Sequence, residues 1–372
     1  MTTSNKAVRA SYISAARPSK PFLTRFLEWE WLLVVLIVLV VIVNSSLSPY
    51  FLNFQNIART SSDFMEMGLM MLPMVFIIVT GNVDLSVASM LGMTAACLGL
   101  LHMNGVNIWL AAAIAMALGA LAGLLNGYLI TRLKVPALVI TLGTYAFYRG
   151  IAYVMLGDQA ARGYPPAFTY LGQGQVPGTP LPVSVVLFAV MAVIFGLVLH
   201  KTTFGRYLYA IGSNQDAVVY SGVSVARVKM VIFLLSGVMS ALAGMVIAAR
   251  FGSTRPDIGL GLELSVITAA VLGGVDINGG KGTMIGAILS LLLIGLLRFG
   301  MGLMNIQGQV QSVAIGLLLI FSILLPNLVD RLKQSRARPK GRTLLLAGLA
   351  VGAAAVFIVF FLWTRAIVFS LS

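Results

Sequence analysis

Side chains able to do covalent, metal or acid–base chemistry are scarce in this chain. There are two histidines, His102 and His200, one cysteine, Cys97, and 11 acidic residues among 372. No His or Cys cluster has metal-ligand spacing, and no nucleophile has a base beside it in sequence. Cys97 lies in an apolar run and reads as a small buried hydrophobe, and a single cysteine forms no intrachain disulfide. The segment GGKGT, residues 279–283, comes nearest to a phosphate loop. It fails because Val275 stands where the first Gly of G-x-x-x-x-G-K-[ST] belongs and Gly282 follows the Lys. The chain therefore carries no ATP-hydrolysing centre of its own, and no catalytic, cofactor or metal residue is assigned.

What remains is a repeated polar interruption. TGNVDLSVASMLG begins at Thr80 and LGGVDINGGKGTMIG begins at Leu272, with Asp84 and Asp276 in corresponding places. Each follows one apolar run and precedes another. Gly and Asn let a backbone turn, so both stretches read as breaks between paired helices whose polar groups face a cavity. The alternative is that each Asp caps the helix that follows, starting at Leu85 and at Ile277. Glu66 and Glu263 also lie in apolar runs, where an ionisable group faces a cavity, a partner or the solvated boundary. Arg149, after TLGTYAFY, either pairs with an acid or snorkels. Asn126, Thr141, Thr144, Tyr145, Tyr148 and Thr268 supply the hydrogen-bonding groups and aromatic faces that a sugar site needs.

The elements that must position these residues are membrane helices. The chain is 59% hydrophobic and 10% charged, with a mean hydropathy of +0.97, which excludes a soluble core protein. A crossing needs about 17–25 apolar residues. Spans are expected near 31–47, 63–80, 86–102, 107–130, 137–156, 181–199, 228–249, 262–275, 284–301 and 310–328, with an eleventh near 344–363. The fold class is an all-α polytopic membrane protein. Its expected parts are a basic tail over 1–28, a transmembrane domain over 29–330, a basic linker over 331–343 and an additional helix with a short tail over 344–372.

The net charge of +14 is a topology signal, since Lys and Arg concentrate in loops that face the cytoplasm. With the N-terminus inside, Lys6, Arg9, Arg17, Lys20, Arg25, Arg132, Lys134, Lys281 and the stretch 331–342 all fall on the cytoplasmic side. That count puts both Asp84 and Asp276 on the same side. The outer loop Gly157–Pro180 reads as too rich in Pro and Gly for a regular helix. Gly119, Gly123 and Gly127 in one span, and Ser236, Ser240 and Gly244 in another, read as close-packing seams within the subunit.

The longest inner loop, 201–229, reads KTTFGRYLYAIGSNQDAVVYSGVSVARVK. Asn214 caps a short surface helix, Asp216 lies in its first turn and Gly222 ends it. This wording resembles the cytoplasmic loop of permeases in the ribose, xylose, rhamnose and autoinducer-2 family of ABC importers, and the resemblance runs from about Asn53 to Asn327. It implies a ten-span permease core, to which the eleventh helix is an addition. It also implies that the loop docks into a separate ATPase, with Gly205, Arg206, Ala210, Ile211, Gly212, Asn214, Ala217 and Gly222 in a coupling role. Implied partners are a second permease subunit, identical or paralogous, and an extracytoplasmic sugar-binding protein, all at a bacterial inner membrane.

Family members carry Gly-Gly-x-Asp-[LI]-Ser at the first break, where Asn82 replaces the second Gly here. Asp84, Asn82, Asn126, Thr144, Tyr145 and Asp276 are the expected solute-pathway residues. The wording of FGSTRPDIGLGLELSVITAAVLGG is similar to permeases for rhamnose and autoinducer-2 first, ribose and xylose next. The competing class is an ion-coupled secondary transporter, which shares broken helices and buried carboxylates but needs no structured docking loop.

Overall fold

The computed structural model describes residues 29–318 and residue 320; the expected basic tail, linker and eleventh helix lie outside them. Helix α1 spans Trp29–Leu47. Helix α2 spans Phe54–Ser61 and leads through a 3-10 turn, Ser62–Phe64, into α3, Met65–Val79. Then follow α4, Val87–Met103; α5, Ile108–Leu133; and α6, Ala137–Leu156. A two-residue strand β1, Ala161–Arg162, precedes α7, Pro166–Gln173, and α8, Val183–Lys201. The connecting helices α9, Thr203–Ser213, and α10, Gln215–Tyr220, lead to α11, Val225–Phe251. After β2, Ser253–Thr254, come α12, Leu262–Leu272; α13, Met284–Leu303; and α14, Gly308–Leu318. Among the described residues, seven helices are long and apolar enough to cross a membrane, with α2 and α3 counted as one continuous stretch, Phe54–Val79, and α4, α12 and α14 are shorter apolar helices.

Helix α3 is the axis of the bundle. All 15 of its residues are buried, as expected of a helix apolar all round. Helices α8, α11, α12 and α13 pack on it. The glycine seam of α5 closes on α11 inside the subunit: Gly119 faces the Gly237 carbonyl, Gly123 faces that of Phe233, and Gly127 faces Met230. Without side chains at these positions the two backbones approach closely. Gly237 faces α5, whereas Ser236 and Gly244, one strip around α11, face Asp84 and α4.

Outside the 201–229 loop, two stretches differ from the sequence expectation. The 157–180 loop contains a regular helix, α7, because Pro166 occupies its first turn, where a missing N–H costs nothing. The span expected over 262–275 is an 11-residue helix bounded by Gly259 and Gly261, both at positive φ, and by Gly273–Gly274. Its length of about 16 Å is roughly half of a 30 Å hydrocarbon layer. The connection before it starts at β2, which pairs antiparallel with β1. From that end of the bundle it turns back inward, until Gly259 lies against Leu91 and Ala88 in the first turns of α4.

Candidate functional site

The loop between α8 and α11 folds into two helices. Asn214 Oδ1 accepts from the Ala217 N–H at 3.0 Å and starts α10; Asp216 lies in its first turn, and Gly222, at φ +83°, follows its end. The longer α9 was not expected from sequence. Thr202 caps it through Gly205 N–H at 3.3 Å, and Gly205 backs onto the Leu199 carbonyl with no room for a side chain.

Helix α9 divides the expected coupling residues between two faces. Gly205, Leu208 and Ile211 are buried and Gly212 is partly so, whereas Arg206, Ala210, Asn214, Ala217 and Gly222 are exposed. Val219 and Tyr220 join the outward surface, Tyr220 at 91% exposure.

The inward face meets both break loops at one point. Gly280 N–H donates to Val79 O at 2.8 Å, tying the second break to the end of α3. Gly212 lies against both of those backbone groups, and Gly279 lies against Gly81 and Gly212. Tyr209 Oη donates to Gly282 O at 2.7 Å, and burial pushes this phenol above its usual pKa. The repeated interruptions therefore lie side by side at the α9 end of the bundle. The start of α1 is there too, with Trp29 Nε1 donating to Leu272 O at 2.7 Å and Thr283 Oγ1 to Glu30 at 2.8 Å.

Both breaks share one local geometry, since Ser86 N–H donates to Asp84 Oδ1 at 2.9 Å and Asn278 N–H donates to Asp276 Oδ1 at 3.0 Å. Neither Asp is the residue flanking its helix; each stabilises the turn before it. Their surroundings then diverge. Asp276 is half-exposed, with Lys281 Nζ at 3.5 Å. Asp84 is fully buried, and it also accepts from Ser86 Oγ at 2.6 Å and Ser236 Oγ at 2.8 Å. Asn126 Nδ2 donates to Ser86 Oγ at 2.8 Å, and Tyr148 Oη lies 3.1 Å from Asn126 Oδ1 and 2.9 Å from Ala122 O. This chain of bonds joins α4, α5, α6 and α11 through polar groups that all find partners, which makes the junction rigid.

Of the expected pathway residues, then, Asp84 and Asn126 share one network. Asn82 turns back to Thr80, with Nδ2 2.9 Å from its hydroxyl. Thr144 is buried on α6, Tyr145 is half-buried beside it, and Asp276 stands apart in the α9-end loop. Thr268 bonds back to Leu264 O at 2.6 Å.

Arg149 neither pairs with an acid nor snorkels. Its Nη1 donates to Pro256 O at 2.8 Å and Ile258 O at 3.0 Å, and its Nη2 to Ala88 O at 3.0 Å. The guanidinium lies on Gly92, whose missing side chain makes the space. It thereby clamps the inward-turning connection onto α4. Glu66 has a partner that the spacing hid: Arg250 Nε donates to Glu66 Oε1 at 2.7 Å, and Arg250 Nη1 to Asp63 at 2.8 Å.

A bundle of apolar helices with a fully buried axial helix, interrupted partners and a structured surface loop defines a polytopic transport permease. The family model for the branched-chain amino acid transport system / permease component matches residues 56–323, and the chain belongs to that family of ABC importer permeases. It is 38% identical over 304 residues to the autoinducer 2 import system permease protein LsrD of Enterobacter sp. (strain 638), covering 80% of this chain and 92% of the relative. The LsrD proteins of Klebsiella pneumoniae subsp. pneumoniae and Escherichia coli (strain K12) are each 37% identical, over 80% and 78% of this chain and 91% and 90% of theirs. No solved structure matches the chain. Family membership does not favour the ion-coupled carrier, and as a permease the protein is an integral membrane subunit of a transport system.

Proposed function

We propose that the protein is the bacterial inner-membrane permease of an importer that carries a sugar-like solute, with autoinducer 2 or rhamnose favoured over ribose and xylose. The observation that carries this reading is the meeting of Gly212 with Val79 and Gly280, which couples one surface helix to both helix breaks through backbone contact. A partner that moves α9 moves the end of α3 and the 276–282 loop together. The outward residues Arg206, Ala210, Asn214, Ala217 and Gly222 face an ATPase subunit, which performs the ATP hydrolysis. The inward residues Gly205, Ile211 and Gly212 pass its displacement on. Nucleotide must bind the two states of that ATPase unequally, since only a differential affinity can drive the switch.

In this reading the α9 end and the N-terminus are cytoplasmic. The β1–β2 and α7 end faces outward to a sugar-binding protein, and a second permease subunit, identical or paralogous, completes the pathway. Tyr145 and Thr144 line it, and Asp84 and Asn126 hold its wall in place.

Gentle detergent extraction of the tagged chain, followed by mass spectrometry, tests the proposal. An ATPase that co-purifies, together with ATP-dependent uptake in proteoliposomes, is the expected result. A chain that comes out alone and catalyses ion-dependent uptake overturns it.

A further inference from the structure

Glu263 Oε2 and Arg149 Nε, two buried polar atoms, are left without a protein partner near the first turns of α4 and α12, where Ser89 Oγ has none either. Glu263 and Arg149 are only 9% and 7% exposed. A buried carboxylate oxygen without a donor and a buried N–H without an acceptor are each unfavourable and uncommon in native proteins. The two residues lie within electrostatic range of one another. A bond between Nε and Oε2 would satisfy both, yet it is not made. The clamp explains why: three backbone carbonyls hold the guanidinium by its other nitrogens, so Arg149 is not free to turn toward Glu263.

The place also matters. Helix α12 ends beside the α9-end loops, and its 11 residues put Glu263 about 15 Å from that end. That is mid-depth, where an ionisable group usually serves a pathway. Tyr145, one turn before Arg149 on α6, is within range of Glu263 as well and is half-buried. Leu142, Leu260 and Leu264, close to Tyr145 and Glu263 in sequence, are exposed.

We propose, building on the importer reading, that Glu263 and Arg149 form a subsite for the hydroxyl groups of an uncharged polyol solute. Glu263 Oε2 accepts from a solute O–H, and Arg149 Nε donates to the oxygen of the same or the neighbouring hydroxyl. A hydroxyl is the group that both donates and accepts. A cation would meet the fixed guanidinium and an anion the carboxylate, so the pair selects neutral, hydrogen-bonding solutes. Tyr145 offers a ring face to the C–H side of such a molecule.

Two measurements on the full chain, assembled with its co-purifying partners in proteoliposomes, test this. In a Cys97→Ser background, Glu263→Cys is treated with a small, charged, membrane-impermeant thiosulfonate, with and without ATP plus vanadate. A subsite reached by polar solute labels at least tenfold faster in one state than in the other, while Leu33→Cys, fully buried, does not change. No labelling of Glu263→Cys in either state overturns the subsite. Separately, Glu263→Gln is expected to lower uptake of tritiated D-ribose or L-rhamnose at least tenfold per folded molecule. Undiminished uptake, or a loss matched by lost protein, overturns it. Wild-type uptake that needs no ATP sinks the importer reading instead, and the labelling result still decides the subsite.

Discussion

Replacing Gly212 with Ala perturbs the coupling contact with a single methyl group. A Cβ at 212 would stand against Val79 O and Gly280 N, both backbone atoms that cannot swing aside as a side chain would. Overpacking of this kind costs about 1–3 kcal/mol. The methyl also separates Gly280 N–H from Val79 O, a bond of 2.8 Å, and leaving a buried donor unpaired adds about 1–3 kcal/mol. The combined penalty of roughly 2–6 kcal/mol falls on the docking of α9, not on the whole bundle. At tenfold per 1.4 kcal/mol it shifts the docked population about 30- to 20,000-fold.

Hydrogen–deuterium exchange of the reconstituted chain reads this directly. Amides of α9 and of 276–282 should exchange faster in Gly212→Ala, with α4, α5 and α11 unchanged, and ATP-driven uptake should fall in parallel. Gly222→Ala is the control. Unlike Gly212, which is helical, it has a positive φ of +83° and faces open space, so it carries only the left-handed strain of about 1–2 kcal/mol. Exchange and uptake at wild-type levels in Gly212→Ala would refute the backbone-coupling argument. Gly212 faces the permease, and Gly212→Glu disrupts it locally.

Arg206→Glu and Ala217→Glu, on the outward face, should weaken ATPase co-purification while changing stability by no more than about 0.5 kcal/mol; full retention of the ATPase by both would remove the docking assignment. Asp84→Ala strands the Ser86 and Ser236 donors and should reduce folded yield by several kcal/mol of stability, whereas Asp84→Asn, which keeps an acceptor oxygen, should recover part of it; equal yields for wild type and Asp84→Ala would deny the network its structural weight. Glu66→Gln should destabilise by about 1–3 kcal/mol, because Arg250 loses the Glu66 charge but keeps Asp63, and the double variant Glu66→Gln with Arg250→Gln should regain some of that in a thermal melt.

The helix order was legible because apolar runs bounded by Gly, Pro and Asn are a one-dimensional signal. The α10 cap was legible for a similar reason, since Asn214, Asp216 and Gly222 act on their own neighbours. Helix α9 was missed because TFGRYLYAIGS carries no acidic start and two glycines, and its order comes from burying Leu208 and Ile211. The half-length of α12 depends on the glycines at its ends, Gly259, Gly261, Gly273 and Gly274, which read equally well as packing residues. Partnerships across many residues left no trace in spacing: Arg149 to carbonyls 107 and 109 positions away, or Ser236 to Asp84. Only the oddity of a charge in an apolar run pointed to them, and it named no partner.

The Glu66–Arg250 pair spans 184 residues, and this separation sets a problem of timing. Ribosomes add about 5–20 residues per second, so Glu66 enters the bilayer roughly 10–40 s before its counter-ion is made. During that interval the axial helix has neither its neighbours α11 to α13 nor a charge to match its carboxylate. The growing chain must therefore keep Glu66 near the headgroups, protonated, or inside the insertion machinery. Release of α11 then closes both the packing and the ion pair in one event, so the last third of the sequence acts as the latch on a core laid down by the first.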